Sequence, residues 1–289
     1  MTEIYRGARL ERILLATDFS AVAEVATAYA VALAQHFSST LEAAYVIDLS
    51  SADPTLDVLM GPALDALRCS GQEGMQHLTE GASGLTLEKK ILEGHRAASV
   101  LVREAIDSSA DLIVLGTSSK HRLQKLTLGS TAEEIVREAP CPVLTVGPHV
   151  SKPAEGPLRF RRIVFATDFS AQSAKAATLA LSVAKDANAK VYLCHVVGDA
   201  RTAEEESPDT VSLTSFKELM NGSAHGHCIT ECVVARGEVA AAVVGLASWV
   251  DADLIIMGAR RASFWRTYIQ SGLIPAVLAE AGCPVLTVC

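Results

Sequence analysis

Arg12-Ile-Leu-Leu-Ala-Thr-Asp-Phe-Ser-Ala21 recurs as Arg162-Ile-Val-Phe-Ala-Thr-Asp-Phe-Ser-Ala171. Each copy is a short apolar run that stops at Thr-Asp and leads into an Ala-rich stretch. That is the pattern of a buried strand passing through a polar turn into a helix. Two further blocks repeat in the same order. Ala110-Asp-Leu-Ile-Val-Leu-Gly116 returns as Ala252-Asp-Leu-Ile-Ile-Met-Gly258, and Cys141-Pro-Val-Leu-Thr-Val146 as Cys283-Pro-Val-Leu-Thr-Val288. The copies lie 150 residues apart at the first block and 142 at the second, so the halves are collinear and the first carries extra residues between them. A period this long marks two duplicated domains, not a solenoid of short repeats. The expected domains are residues 1–150 and 151–289. They are joined by His149-Val-Ser-Lys-Pro-Ala-Glu-Gly-Pro157, which is punctuated by Pro and Gly. A second loose stretch, 198–209, reads as a solvated loop.

Outward from the first repeat, apolar runs alternate with helical spacing. The pattern predicts strands at 12–16, 40–47, 85–92, 112–116 and 143–146, and helices at 21–37, 64–79, 97–108 and 130–139. Such alternation implies right-handed crossovers and an α/β fold, two tandem Rossmann-like domains, each a five-stranded parallel sheet flanked by helices. Ligands of such sheets bind beyond the carboxyl ends of the strands, at the switch in strand order.

The composition agrees. The chain has 289 residues, 49% of them hydrophobic and 20% charged, enough for two full-size cores and too apolar for disorder. Mean hydropathy is +0.28, yet the longest uncharged apolar stretches, 25–35 and 239–250, fall short of the ~18–20 residues that span a bilayer. The first residues, MTEIYRGARLER, lack the apolar core and cleavage site of a signal peptide. A net charge of −8 gives no general attraction to nucleic acid or anionic lipid. Seven scattered cysteines without a secretory signal argue for reduced thiols and a cytoplasmic setting.

The candidate site of the first half lies after Gly116. The loop 117–128 carries Lys120, His121, Arg122 and Lys125, and Gly129-Ser130-Thr131 opens the next helix. Ser130 with Glu133 three residues on fits a capping box with Ser130 as N-cap. Glycine beside a helix N-terminus lets backbone N–H groups and the helix dipole meet an anion. Asp18 lies across the same crevice, where a carboxylate accepts from a ribose hydroxyl or a base amino group. The same residues also read as ordinary punctuation: Gly after a strand, Ser before a helix, and Asp18-Phe19-Ser20 capping the first helix.

These residues carry a resemblance over essentially the whole chain to the universal stress proteins, in their tandem-domain form. Nucleotide-binding members have Gly, two residues, Gly, nine residues, Gly, then Ser or Thr. Gly116, Ser119, Gly129 and Ser130 keep that spacing, with Ser119 in place of the middle glycine. The resemblance implies that Ala16, Thr17, Asp18, Val46 and Leu115 meet the adenine and ribose. It also implies that Gly116, Ser119, Gly129, Ser130 and Thr131 hold ribose and phosphates. The implied ligand is ATP or AMP, with or without Mg2+, and the implied role is a stress-response regulator that switches with nucleotide. A nucleotide-independent interaction scaffold and a slow ATPase are the other readings. It further implies that the last strands, 143–146 and 285–288, pair within one chain as a pseudo-dimer, with a homodimer as a further step.

The second half departs from this pattern. Ala166, Thr167, Asp168 and Val196 are retained, but the motif reads Gly258, Arg261, Ser271, Gly272, and Pro275 stands where Glu133 stood. A degenerate site is expected, with its phosphate end lost or rebuilt around Arg261. Phe264, Trp265 and Tyr268 in the same loop fit an interface or the sheet rim better than a ligand. His225-Gly-His227-Cys228-Ile-Thr-Glu-Cys232 resembles a metal cluster. Aligned with 85–92 it is instead a strand, with His227 facing away from two buried thiols, Cys228 and Cys232. No nucleophilic elbow, Walker lysine or carboxylate pair is present, so at most weak ATP hydrolysis is expected, by a water that Asp18 orients.

Overall fold

The computed structural model describes residues 10–50, 57–78, 84–117, 129–154, 156–197, 230–258 and 272–288. The chain divides into two compact units, one centred on Leu10–Pro148 and the other on Arg159–Cys289. The first runs β1 (Arg12–Ala16), α1 (Ala21–Phe37), β2 (Thr40–Asp48), α2 (Asp57–His77), β3 (Leu87–Gly94), α3 (Ala97–Asp107), β4 (Leu112–Gly116), α4 (Ser130–Glu138), β5 (Val143–Val146). The second runs β6 (Arg162–Ala166), α5 (Ala171–Ala187), β7 (Lys190–Val197), β8 (Thr230–Arg236), α6 (Val239–Trp249), β9 (Leu254–Gly258), α7 (Leu273–Glu280), β10 (Val285–Val288).

The strand order in the first unit is β3-β2-β1-β4-β5, and in the second β8-β7-β6-β9-β10. All pairs within each unit are parallel. The order reverses beside β1 and beside β6, so each domain has its crevice at the carboxyl ends of β1 and β4, or β6 and β9. The central strands are covered on both faces: Ile13, Leu14, Leu15, Ile113 and Val114 are fully buried, as are Ile163, Val164, Phe165, Ile255 and Ile256. They therefore read as continuous apolar runs, which is why β1, β4 and β5 sit at their expected bounds.

Helices α1 and α5 start alike. Ser20 and Ser170 cap them, accepting from Ala23 N and Ser173 N. They also end alike, with Ser38 and Asn188 in the left-handed region. Helix α2 starts well before the expected residue 64 and ends at His77. Its described side chains before Gly71 are mostly exposed, so apolar spacing marked only the part near Gly71 and Met75 that meets the core. That part approaches closely because Gly74 has no side chain: a Cβ there would lie 2.6 Å from the Phe19 ring.

Three expectations are corrected. Ser130 is the first helical residue of α4, not its cap; Gly129 holds the cap position in extended geometry without a side-chain bond, so no capping box forms. The reason is that Gly129 N donates to Thr117 O at 2.8 Å, which fixes the chain one residue earlier. Strand β8 pairs Glu231 with Tyr192 as β3 pairs Glu88 with Glu42, so β8 matches β3 in a different register from the alignment of His225 with Leu85. Cys232 is then exposed, not a buried thiol. His225, His227 and Cys228 lie outside the described residues. Among the described residues no His, Cys, Asp and Glu group is placed to hold a metal ion, and no helix is long and apolar enough to cross a membrane.

Candidate functional site

In the first domain, Ala16, Thr17 and Asp18 follow one another out of the end of β1. Ala16 lies beside Ala44 on one flank and Leu115 on the other. Thr17 N donates to Ala44 O at 3.0 Å, extending the ladder one step beyond the strand. The chain then turns sharply. Phe19 takes a left-handed φ of 57°, its N donates to Thr17 Oγ1, and Ser20 N donates to Asp18 Oδ1 at 3.0 Å. This turn holds Asp18 at the crevice while Ser20 does the capping. Val46, half-buried near the end of β2, stands opposite Leu92.

The other wall is β4 and the start of α4. Gly116 pairs with Val146, and Thr117 N donates to Val146 O. The bond from Gly129 N to Thr117 O returns the chain to that strand end and sets Ser130 and Thr131 beside it. Both glycines are needed for closeness. A Cβ at Gly116 would lie 3.1 Å from backbone atoms of Val22 and Ala23, and one at Gly129 would lie 3.0 Å from Thr117 O. Ser119 and the four basic residues of the loop lie outside the described residues.

The residue after Asp18 links the site to the opposite sheet face. Phe19 stacks on Tyr45 with ring centroids 5.1 Å apart. Burial, and then the nearby Asp18 carboxylate, push the Tyr45 hydroxyl above its ordinary pKa. On that side Thr17 and Phe19 reach a groove of about 670 Å³ between α1, the end of α2, Lys152–Ala154 and Gly156.

The second domain repeats the turn with different side chains. Phe169 has φ 56° and Ser170 N donates to Asp168 Oδ1 at 3.0 Å. Here Ser173 also donates to Asp168 Oδ1, at 2.6 Å. His195 takes the place of Tyr45, stacking on Phe169 at 4.6 Å with its Nδ1 2.9 Å from Thr167 O. Ala166, Thr167, Asp168, Val196 and Gly258 share a cavity of about 140 Å³ with His195 and Ser173. Gly272 caps α7 in a left-handed conformation with no side-chain bond, and Leu273 and Ile274 line the cavity behind it. Cys194, in the same wall, is buried and its thiol is pushed up to about 11. Arg261, Ser271 and the loop aromatics lie outside the described residues. His195 and Ser173 were missed from sequence. The signal was there: Ala43-Ala-Tyr-Val46 becomes Leu193-Cys-His-Val196, and Ala23 becomes Ser173.

Fold and site together define a doubly wound α/β domain, present twice, with a crevice at the strand-order switch. A family model described as the universal stress protein family matches residues 9–147 and again 159–288. The chain belongs to that family, in its tandem form. It is 33% identical over 143 residues to a universal stress protein of Methanocaldococcus jannaschii, covering 47% of this chain and 81% of the relative. A universal stress protein of Thermus aquaticus is 34% identical over 137 residues, covering 46% of this chain and 96% of its own. At full length, the crystal structure of a universal stress protein from Archaeoglobus fulgidus has the same fold. Its TM-score is 0.75 at 17% identity, covering 98% of this chain and 97% of that one.

Proposed function

We propose that this protein is a cytoplasmic stress-response regulator that binds ATP or AMP, mainly in the first domain, and shifts conformation or partner affinity with nucleotide. The observation that carries this is the convergence of Asp18, Val46 and Gly116 with Gly129-Ser130-Thr131 at one strand-order switch. Asp18 is an acceptor for the base or ribose. The α4 N-terminus supplies backbone N–H groups, two hydroxyls and a favourable dipole for phosphate. Gly116 and Gly129 let the start of α1 and the Thr117 carbonyl approach closely, which draws the walls of the crevice together. Mg2+ bound with ATP would offset phosphate charge there. A switch requires nucleotide to bind its two states unequally.

The test is titration calorimetry of nucleotide-stripped full chain with ATP and AMP, read for stoichiometry. One nucleotide per chain, lost in Gly129→Val and weakened about tenfold in Asp18→Asn, supports the reading; tenfold corresponds to about 1.4 kcal/mol. No binding to folded protein overturns it in favour of a nucleotide-independent scaffold. Multiple turnover of ATP that Asp18→Asn abolishes would make the protein an ATPase.

A further inference from the structure

We propose that the cleft of the second domain takes an uncharged, donor-bearing heteroaromatic ligand, a nucleobase or nucleoside without phosphate. This goes beyond the nucleotide reading of the first domain and does not depend on it.

Size comes first. The cavity holds about 140 Å³. Cavities of about 150 Å³ admit a benzene-sized ring, so the volume suits one flat ring, and any sugar or phosphate attached to it lies outside. Val243 and Met257, 0% and 4% exposed, form apolar walls suited to ring faces.

Polarity comes next. Asp168 at the mouth is an acceptor, held by Ser170 N and the Ser173 hydroxyl. His195 Nδ1 donates to the Thr167 carbonyl, which fixes the proton on that nitrogen and leaves Nε2 as an acceptor in the neutral ring. A cavity with two acceptors among its lining groups selects a ligand with N–H or O–H donors. The same Asp168 charge disfavours an anion, and among the described lining residues there is no Lys or Arg to offset it.

The described part of the phosphate end points the same way. Leu273 stands where the first domain has Thr131, so that hydroxyl is gone, and its side chain joins Ile274 in the cavity wall. Pro275, in the first turn of α7, has no N–H to offer an anion. The helix end that could cradle phosphate in the first domain is an apolar wall in the second.

The test uses nucleotide-stripped full chain, with adenosine and AMP as probes in parallel titrations. Wild type is expected to bind one adenosine that persists in Gly129→Val. Adenosine affinity is expected to fall at least tenfold in Val243→Phe, which fills the cavity, and in the isosteric Asp168→Asn, which serves if Val243→Phe misfolds. Asp18→Asn replaces Gly129→Val if that variant misfolds. AMP binding is expected to show the reverse sensitivities. Absence of adenosine binding in the folded first-domain variant overturns the proposal. So does tighter binding of AMP than adenosine in that variant, which would mean that the loop arginines rebuild a phosphate site. Failure of AMP to bind wild type, with the adenosine pattern intact, removes the first-domain reading and leaves this one standing.

Discussion

The two domains share strand order, the Asx-type turn after the first strand and the serine-capped first helix, yet they solve the same buried position in opposite ways. In the first, Glu42 on β2 is fully buried and meets Arg12 at 3.1 Å and Lys90 at 3.2 Å. Lys90 in turn holds Glu104 of α3 at 2.7 Å, and Arg12 holds Glu88 at 2.8 Å. In the second, the positions of Glu42, Lys90 and Glu104 are Tyr192, Val233 and Leu246. There Lys190 has moved to the rim, where it pairs with Glu231 at 2.6 Å and covers the Tyr192 ring. The sheet therefore does not need the charges. Burial raises the pKa of the Glu42 carboxyl, and Lys90 works against that rise. The network is a compensated cost, not a source of net stability.

That view gives the largest expected effect. Lys90→Met leaves Glu42 buried with one cation and should destabilise the first domain by about 3 kcal/mol. The triple change Glu42→Leu, Lys90→Val, Glu104→Leu, which approximates the second domain, should cost less than about 1 kcal/mol or stabilise. Both tryptophans lie in the second domain, so the readout is hydrogen exchange at β2 amides rather than fluorescence. A triple variant as damaged as the single one would break the comparison.

A smaller effect separates the two clefts. Thr131→Leu gives the first domain the second domain's helix start. It should cost AMP about tenfold in affinity, in line with roughly 1.5 kcal/mol or more for a hydrogen bond to a charged group. Adenosine binding in the second domain should not change. An unaltered AMP titration would mean that the Thr131 hydroxyl does not contact the phosphate.

The repeated blocks made the duplication, the parallel sheets and the crevice legible, because strands buried on both faces are continuous apolar runs. The outer elements were less so. Strand β3 is half-exposed and the described side chains of α2 before Gly71 are mostly exposed, so their periodicity is too weak to fix bounds or register. The Gly129 cap was hidden because its decisive bond, to Thr117 O, joins residues separated by a loop. The second cleft differs from the first at His195, Ser173 and Leu273, three positions that stood out only by comparison with the first half.

The same contrast recurs at the third helix, where it becomes a question of pH. Helix α3 begins after Arg96, in a left-handed φ of 64° with no side-chain cap. Its first amides are taken by Asp48 from β2, which accepts from Arg96 N and Ala97 N. Helix α6 caps itself: Glu238 accepts from Ala241 N at 2.6 Å and Ala240 N at 3.0 Å. Those two bonds hold the Glu238 carboxyl below its ordinary pKa. A carboxyl lowered on folding binds fewer protons folded than unfolded. Its stabilisation is thus present above the unfolded pKa of about 4.3 and is lost as pH falls through the folded value. Glu238→Ala should cost about 1 kcal/mol at pH 7, as loss of a capping side chain does, and less in high salt because the group is exposed. The deficit should vanish on acidification, with hydrogen exchange at α6 amides following unfolding of the second domain. A deficit that stays constant from pH 7 to below 4 would show that Glu238 acts by chain geometry, not by its charge.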